Sequence, residues 1–145
     1  HIVKAIAGSM VGRMSSDIVL LGENLFAKHS IYYDRLESYF YLFGVRTAER
    51  FLSWTQVEMY AHDLGIPTVP VIYQGEWGNF KHWEQWPRES AVGAEAEGYV
   101  VRTVEGFPID QFKTHVAKYV RTNHVRCSDH WMYQQIVPNG LKIWF

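Results

Sequence analysis

"SWTQVEMYAHDLGIPTVPVIYQG" (residues 53–75) decides the class of fold, because its apolar period changes partway along. Trp54, Val57, Tyr60, Ala61 and Leu64 recur at the spacing that lines one face of an α-helix. Ser53 is a good N-cap for that helix, and Gly65 stands where the residue after a helix end belongs. Beyond Gly65 the run "IPTVPVIYQG" (66–75) reads as a strand. Its Pro67 and Pro70 cannot donate to a ladder, so a sheet edge is the expected place for it.

Working outward, the rest of the chain reads mainly as strands. "IVLLGENLFA" (18–27) predicts a buried strand interrupted by Gly22-Glu23-Asn24, and "SYFYLFGVRT" (38–47) a second one dense in aromatics. "EGYVVRTV" (97–104) should pair with "FPI" (107–109) or with "FKTHVAKYVRT" (112–122) across a turn at Glu105-Gly106. Residues 75–96 have no clean period and suit a loop or short-helix excursion. Pro138-Asn139-Gly140 is a turn. No repeat, low-complexity tract or linker divides the chain, so one domain over residues 1–145 is expected. Strands with one clear helix, mostly antiparallel, make an α+β fold.

Composition limits the function classes. The 145 residues are 48% apolar and 20% charged, with a formal charge of −1, so any nucleic acid must meet a local basic cluster. No apolar run approaches the roughly 20 residues of a membrane span, and the start "HIVKAIAGSM" lacks the pattern of a signal peptide. A single cysteine, Cys127, cannot form an intrachain disulfide and suits a reducing, cytoplasmic setting. No obligate protein partner is inferred. Aromatics reach 16%, which fits a filled core and also platforms for stacking bases.

Three strands carry candidate chemistry. Alternation puts Glu97, Tyr99 and Val101 on one face and Gly98, Val100 and Arg102 on the other, while Val116, Lys118 and Val120 share a face. Two sheets meeting over a nucleotide would bring Glu23, Glu97 and Lys118 into one cleft. Carboxylates with a lysine suit phosphoryl transfer assisted by a divalent cation, which takes oxygen ligands while the ammonium offsets phosphate charge. An isolated strand glutamate is otherwise an ordinary solvated side chain.

Taken in order, "GENLFAKHSIYY" (22–33), "SYFYLFGVRT" (38–47), "EGYVVR" (97–102) and "VAKYVR" (116–121) resemble motifs III, IIIa, IV and V of the covalent nucleotidyltransferases. These are the ATP-dependent ligases and capping enzymes, and the RNA ligase family is the nearest in pattern. The resemblance runs from about residue 8 to residue 140. It implies a nucleotidyltransferase (ATP-grasp-like ligase) domain of antiparallel sheets, incomplete at its N-terminus, with ATP and Mg2+ (or Mn2+) as cofactors and RNA ends as partners. It further implies that Glu23 contacts the ribose or a metal-bound water, and that Phe40 stacks on adenine, with Phe43 as its rival. Glu97 would bind the catalytic metal, Gly98 would let backbone pack closely beneath the pocket, and Lys118 would meet the α-phosphate. Both Glu97 and Lys118 would thus be catalytic.

The implied reaction has three steps. A lysine takes AMP from ATP and releases pyrophosphate, AMP moves to a 5′-phosphate end, and a 3′-hydroxyl then displaces AMP. The attacking lysine must be neutral, so its pKa must fall from about 10.4 to near 7. None of Lys4, Lys28, Lys81, Lys113, Lys118 and Lys142 has the family's K-x-D/H-G context. That lysine is therefore expected upstream of His1, and the chain as written is not expected to form lysyl-AMP. Motif V also departs, since relatives often carry K-x-K where this chain has Lys118-Tyr119-Val120-Arg121, and Arg121 faces the opposite side by strand parity. A DNA ligase, a GTP-using capping enzyme and a catalytically dead nucleic-acid-binding module remain the alternatives.

Lys28, His29 and Arg35 form a basic group after motif III that could touch RNA phosphate. His124, Cys127 and His130 suggest zinc, but lack a fourth ligand and paired cysteine spacing, so packing or RNA contact is expected there. Trp77, Trp83 and Trp86 precede motif IV and read as core cover before RNA platforms.

Overall fold

A computed structural model describes residues 2–29, 31–77, 89–120 and 135–143. The element order is α1 (Ile2–Met10), β1 (Val19–Asn24), β2 (Phe40–Arg46), β3 (Arg50–Phe51), α2 (Trp54–Leu64), β4 (Gly98–Arg102), β5 (Phe107–Pro108), a 3₁₀ turn (Ile109–Gln111), α3 (Phe112–His115) and β6 (Val116–Val120). Two antiparallel sheets result, a four-stranded one ordered β1-β2-β3-β5 and a pair β4-β6. The α+β class expected from the sequence is the fold observed.

Helix α2 begins and ends where the residues direct. The Ser53 side chain accepts from the Gln56 N–H while the Gln56 side chain accepts from the Ser53 N–H, so two donors that the helix leaves orphaned are satisfied reciprocally. Gly65 closes the helix in the left-handed region at φ 69°. Arg13 adds a cation at that end, donating to the Asp63 (2.5 Å) and Leu64 (3.5 Å) carbonyls. The apolar face of α2 buries Val57 and Ala61 against Leu42 and Val45 of β2, with Leu52 and Trp54 closing the cluster.

Two sequence expectations change in detail. Gly22-Glu23-Asn24 does not interrupt β1 but forms its end, because a β-bulge between Leu21 and Gly22 absorbs the irregularity. Leu21 pairs with Gly44 and Gly22 with Leu42, which leaves Phe43 as the extra residue on β2. The run 66–75 is not a strand. With no N–H on Pro67 or Pro70 it makes one bridge at β2, the Leu42 N–H donating to the Pro67 carbonyl (2.8 Å) and the Val69 N–H to the Leu42 carbonyl (2.9 Å).

The β4–β6 pair is tied to the larger sheet through Arg102. Its guanidinium donates to the Leu52 carbonyl (2.8 Å) and lies 5.8 Å from the Trp54 ring centre and 5.7 Å from that of Phe107. Burial lowers the pKa of this cation from its usual value, the mark of a charge drawn partly out of water. Phe107 stacks on Phe51 at 5.1 Å and on His115 at 4.7 Å, continuing the aromatic junction.

Asn139 has the one buried polar side chain among the described residues. Its Nδ2 donates to the Leu25 carbonyl (2.9 Å), its Oδ1 accepts from the Tyr33 N–H (2.9 Å), and its own N–H donates to the Phe26 carbonyl (2.9 Å). Residues 135–143 thereby strap the loop that follows β1. No helix among the described residues is long and apolar enough to cross a membrane. Asn139→Ala is expected to lower the unfolding free energy by about 2–3 kcal/mol, because buried loop amides lose their partners. Urea denaturation reads the change, and an unaltered midpoint would show that water replaces the amide.

Candidate active site

The site is built where the end of β1 meets the segment leading into β4. Cross-strand pairing sets Glu23 opposite Tyr41 on the face of the large sheet turned away from α2. Leu42 and Val45 both enter the helix-facing core, so Phe43 and Gly44 between them turn to the face of Glu23. Phe43 is 40% exposed there. Phe40 packs instead against the α2 core, and its ring covers Gly22 so closely that any Cβ at that position would collide with it. Of the two candidates for the adenine platform, Phe43 has the open face and Phe40 is part of the packing.

Glu97 immediately precedes β4, and the strand's alternation continued back by one residue places it on the Tyr99 face. Tyr99 and its partner Tyr119 stack at 4.9 Å on that face. Gly98 earns its place by close approach, since a Cβ there would run into the Tyr119 carbonyl oxygen of β6. The tight contact is thus between two strands of the small sheet.

Tyr33 joins the two carboxylates. Burial raises the pKa of its hydroxyl above the usual value, and the negative charges of Glu97 and then Glu23 push in the same direction. The charges of Glu23 and Glu97, far apart in sequence, therefore act on one phenol. Tyr33 is held in register by Asn139 at its N–H and by the Gly140 N–H, which donates to its carbonyl (2.7 Å). Neither role was visible in sequence. Tyr33 ends a motif block, but only folding places it between two acids, and Pro138-Asn139-Gly140 reads as an ordinary turn.

Lys118 does not join them. The register sets it opposite Val100, one position from Tyr99, and directly opposed residues share a face. Of the three residues expected in one cleft, Glu23 and Glu97 both bear on Tyr33 through their charge, and Lys118 lies on the other face of the β4–β6 pair. The basic group after motif III is also divided. Lys28 and His29 are exposed on the loop strapped by Val137 and Pro138, whereas Arg35 donates to the Gly93 carbonyl (2.8 Å) and pairs with Asp34 at 3.5 Å. Arg35 also lines a cavity of about 440 Å³ beside Tyr41, together with Glu37, Thr68 and Lys142. Arg121, the suggested zinc residues His124, Cys127 and His130, and both Trp83 and Trp86 lie outside the described residues. Trp77 is 60% exposed, which corrects its reading as core cover.

A family model described as RNA ligase matches residues 2–120, and the chain belongs to the RNA ligase family. No curated protein and no solved structure matches it.

The Tyr33 geometry yields a titration. With its folded-state pKa raised, the stability gained by keeping the phenol neutral is complete below the ordinary tyrosine pKa. That stability is lost as pH rises through the raised value. Glu97→Gln should move the Tyr33 titration, followed by NMR of ring-labelled tyrosine, back toward the ordinary range. An unmoved titration would remove the electrostatic link between the two groups.

Proposed function

We propose that this chain is the part of an ATP-dependent RNA ligase domain that holds the adenylate and its phosphates during strand joining. The observation that carries this reading is the convergence of Glu23 and Glu97 on Tyr33 within a chain of the RNA ligase family. In this reading a lysine Nζ attacks the α-phosphorus of ATP and pyrophosphate leaves. The 5′-phosphate of an RNA end then takes AMP from that lysine, and a 3′-hydroxyl attacks the activated phosphate as AMP departs. No lysine of the chain stands in a K-x-D/H-G context, so none of its six lysines is given the role of nucleophile in this reading.

Most of the candidate residues then have a defined task. Glu23 accepts from the ribose hydroxyls, and Phe43 offers its exposed face to adenine. Glu97, with Glu23 nearby, gives the hard oxygen donors that suit Mg2+ or Mn2+, ions held by one or two carboxylates plus phosphate oxygens. Such an ion, when bound, supplies charge that offsets the phosphates. Lys118, on the Val100 face of the β4–β6 pair, is given no contact with the α-phosphate in this reading. Lys28, His29 and Arg35 face RNA phosphate beyond the nucleotide. The use of ATP distinguishes this reading from a GTP-using capping enzyme, and covalent adenylylation distinguishes it from a binding module.

Full-length protein incubated with α-labelled ATP or GTP tests the reading directly. Label is expected on the protein from ATP alone. Label from GTP alone would move the chain to the capping class, and no label from either would remove adenylyl transfer. Glu97→Ala should reduce labelling at least about a hundredfold while leaving the fold intact.

The two phenylalanines separate in a paired measurement. Phe43→Ala should weaken ATP binding by about tenfold, the scale of one lost stacking contact, with little change in stability. Phe40→Ala should lower stability by about 2–3 kcal/mol through the cavity it leaves beside the α2 core. Calorimetric binding and denaturation midpoints together decide which ring serves the nucleotide.

A further inference from the structure

A second cavity, of about 240 Å³, lies at the end of the β4–β6 pair remote from Glu97. Trp77, Lys113, Thr114 and His115 surround it, and Val101 and Ala117 line it from the strands. Its composition is one-sided. Lys113, His115 and Arg102 contribute cationic or protonatable groups, and no carboxylate is among the described residues that line it. Arg102 is already committed to the Leu52 and Thr103 carbonyls, so it contributes field more than contact. The His115 ring lies flat on Phe107, tilted by only 12°. Its Nδ1 is 2.9 Å from the Gln111 carbonyl oxygen, which makes Nδ1–H the donor there, so the ring offers an Nε2–H to a phosphate in its doubly protonated form. Trp77, 60% exposed, presents a broad aromatic surface at the rim.

An exposed indole beside clustered cations is the chemistry that takes an unpaired nucleotide, the base stacking on the ring while the phosphate meets the charge. We propose that this cavity is a subsite for the RNA strand, with a base on Trp77 and the adjoining phosphate on Lys113 and His115. The proposal rests on the RNA ligase reading and adds to it a place where the polynucleotide is gripped away from the reacting end. Val101 is four residues from Glu97 along extended chain, about 13 Å at strand spacing. That distance equals about four stacked nucleotide steps at 3.4 Å each. A strand with its end at Glu97 reaches the cavity within a few nucleotides.

The test is fluorescence anisotropy of the full-length protein with a 5′-phosphorylated, single-stranded 12-nucleotide RNA across a salt series, alongside calorimetric binding of ATP. Trp77→Ala should raise the RNA Kd about tenfold and Trp77→Phe should restore most of the loss. Lys113→Ala should weaken binding and flatten the slope of log affinity against log salt by about 0.7, one phosphate contact on a single strand. ATP affinity should stay at the wild-type value in all three variants. Wild-type affinity and salt slope in both alanine variants would overturn the subsite while leaving the ligase reading intact. Equal losses for RNA and ATP would also overturn it, since the residues would then act through the fold. Failure of the unaltered protein to bind the RNA would overturn the RNA reading and the subsite together.

Discussion

The buried amide of Asn139 is the constraint on which the site's geometry depends. The loop between β1 and β2 carries backbone groups that no strand or helix satisfies, and such groups cannot stay buried unpaired. Asn139 meets the loop at Leu25, Phe26 and Tyr33, and the Tyr39 hydroxyl donates back to its carbonyl at 3.2 Å. A residue more than a hundred positions along the chain thus fixes the path of the segment directly after Glu23. Alanine would leave the fold's apolar contacts in place and remove the reason for this particular loop path.

Arg102 performs the matching task for the small sheet. Two strands alone bury too little to be stable in water, so β4 and β6 need an anchor to hold Glu97 at a fixed position. The anchor is a cation drawn between Trp54 and Phe107, with its hydrogen bond given to the carbonyl that precedes Ser53. The cap of α2, the last strand of the large sheet and the strand behind Glu97 therefore meet at one guanidinium. The partial loss of water around it is compensated by carbonyl acceptors and ring faces, which explains how a charged residue serves as a joint.

Much of this was legible in the sequence where local chemistry decides the outcome. Ser53 and Gly65 bound α2 because capping is settled within a few residues, and "EGYVVR" and "AKYV" form strands because their residues suit a pleated surface. The family motifs were legible for the same reason, as short fixed runs. Register was not, because a shift of one residue between β4 and β6 exchanges every face without changing the pattern of either strand. That is why Lys118 read as a neighbour of Glu97 and stands behind Val100 instead. The bulge at Phe43 was hidden in the same way, since "FYLFG" offers two phenylalanines and only the pairing shows which one faces out. Asn139 and Tyr33 depend on contacts between distant segments, which no local pattern records.

The separation of acids from bases carries its own physical consequence. Burial and then the charges of Glu97 and Glu23 hold the Tyr33 hydroxyl above its usual pKa, and the register keeps Lys118 off the Tyr99 face. On the proposed reading these carboxylates would repel a bare polyphosphate and favour one that arrives with its countercharge. Cations gather instead at the other end of the β4–β6 pair, around Lys113 and Arg102, where no described residue lining the cavity is acidic. With a formal charge of only −1 over the whole chain, this local sorting, and not bulk charge, must direct a polyanion. On the proposed reading the RNA strand is drawn to the basic end, and the acidic end is left for the group that carries metal. On that reading a single small sheet would serve both ends of one RNA substrate, because its two strands are long enough to keep opposite charges apart.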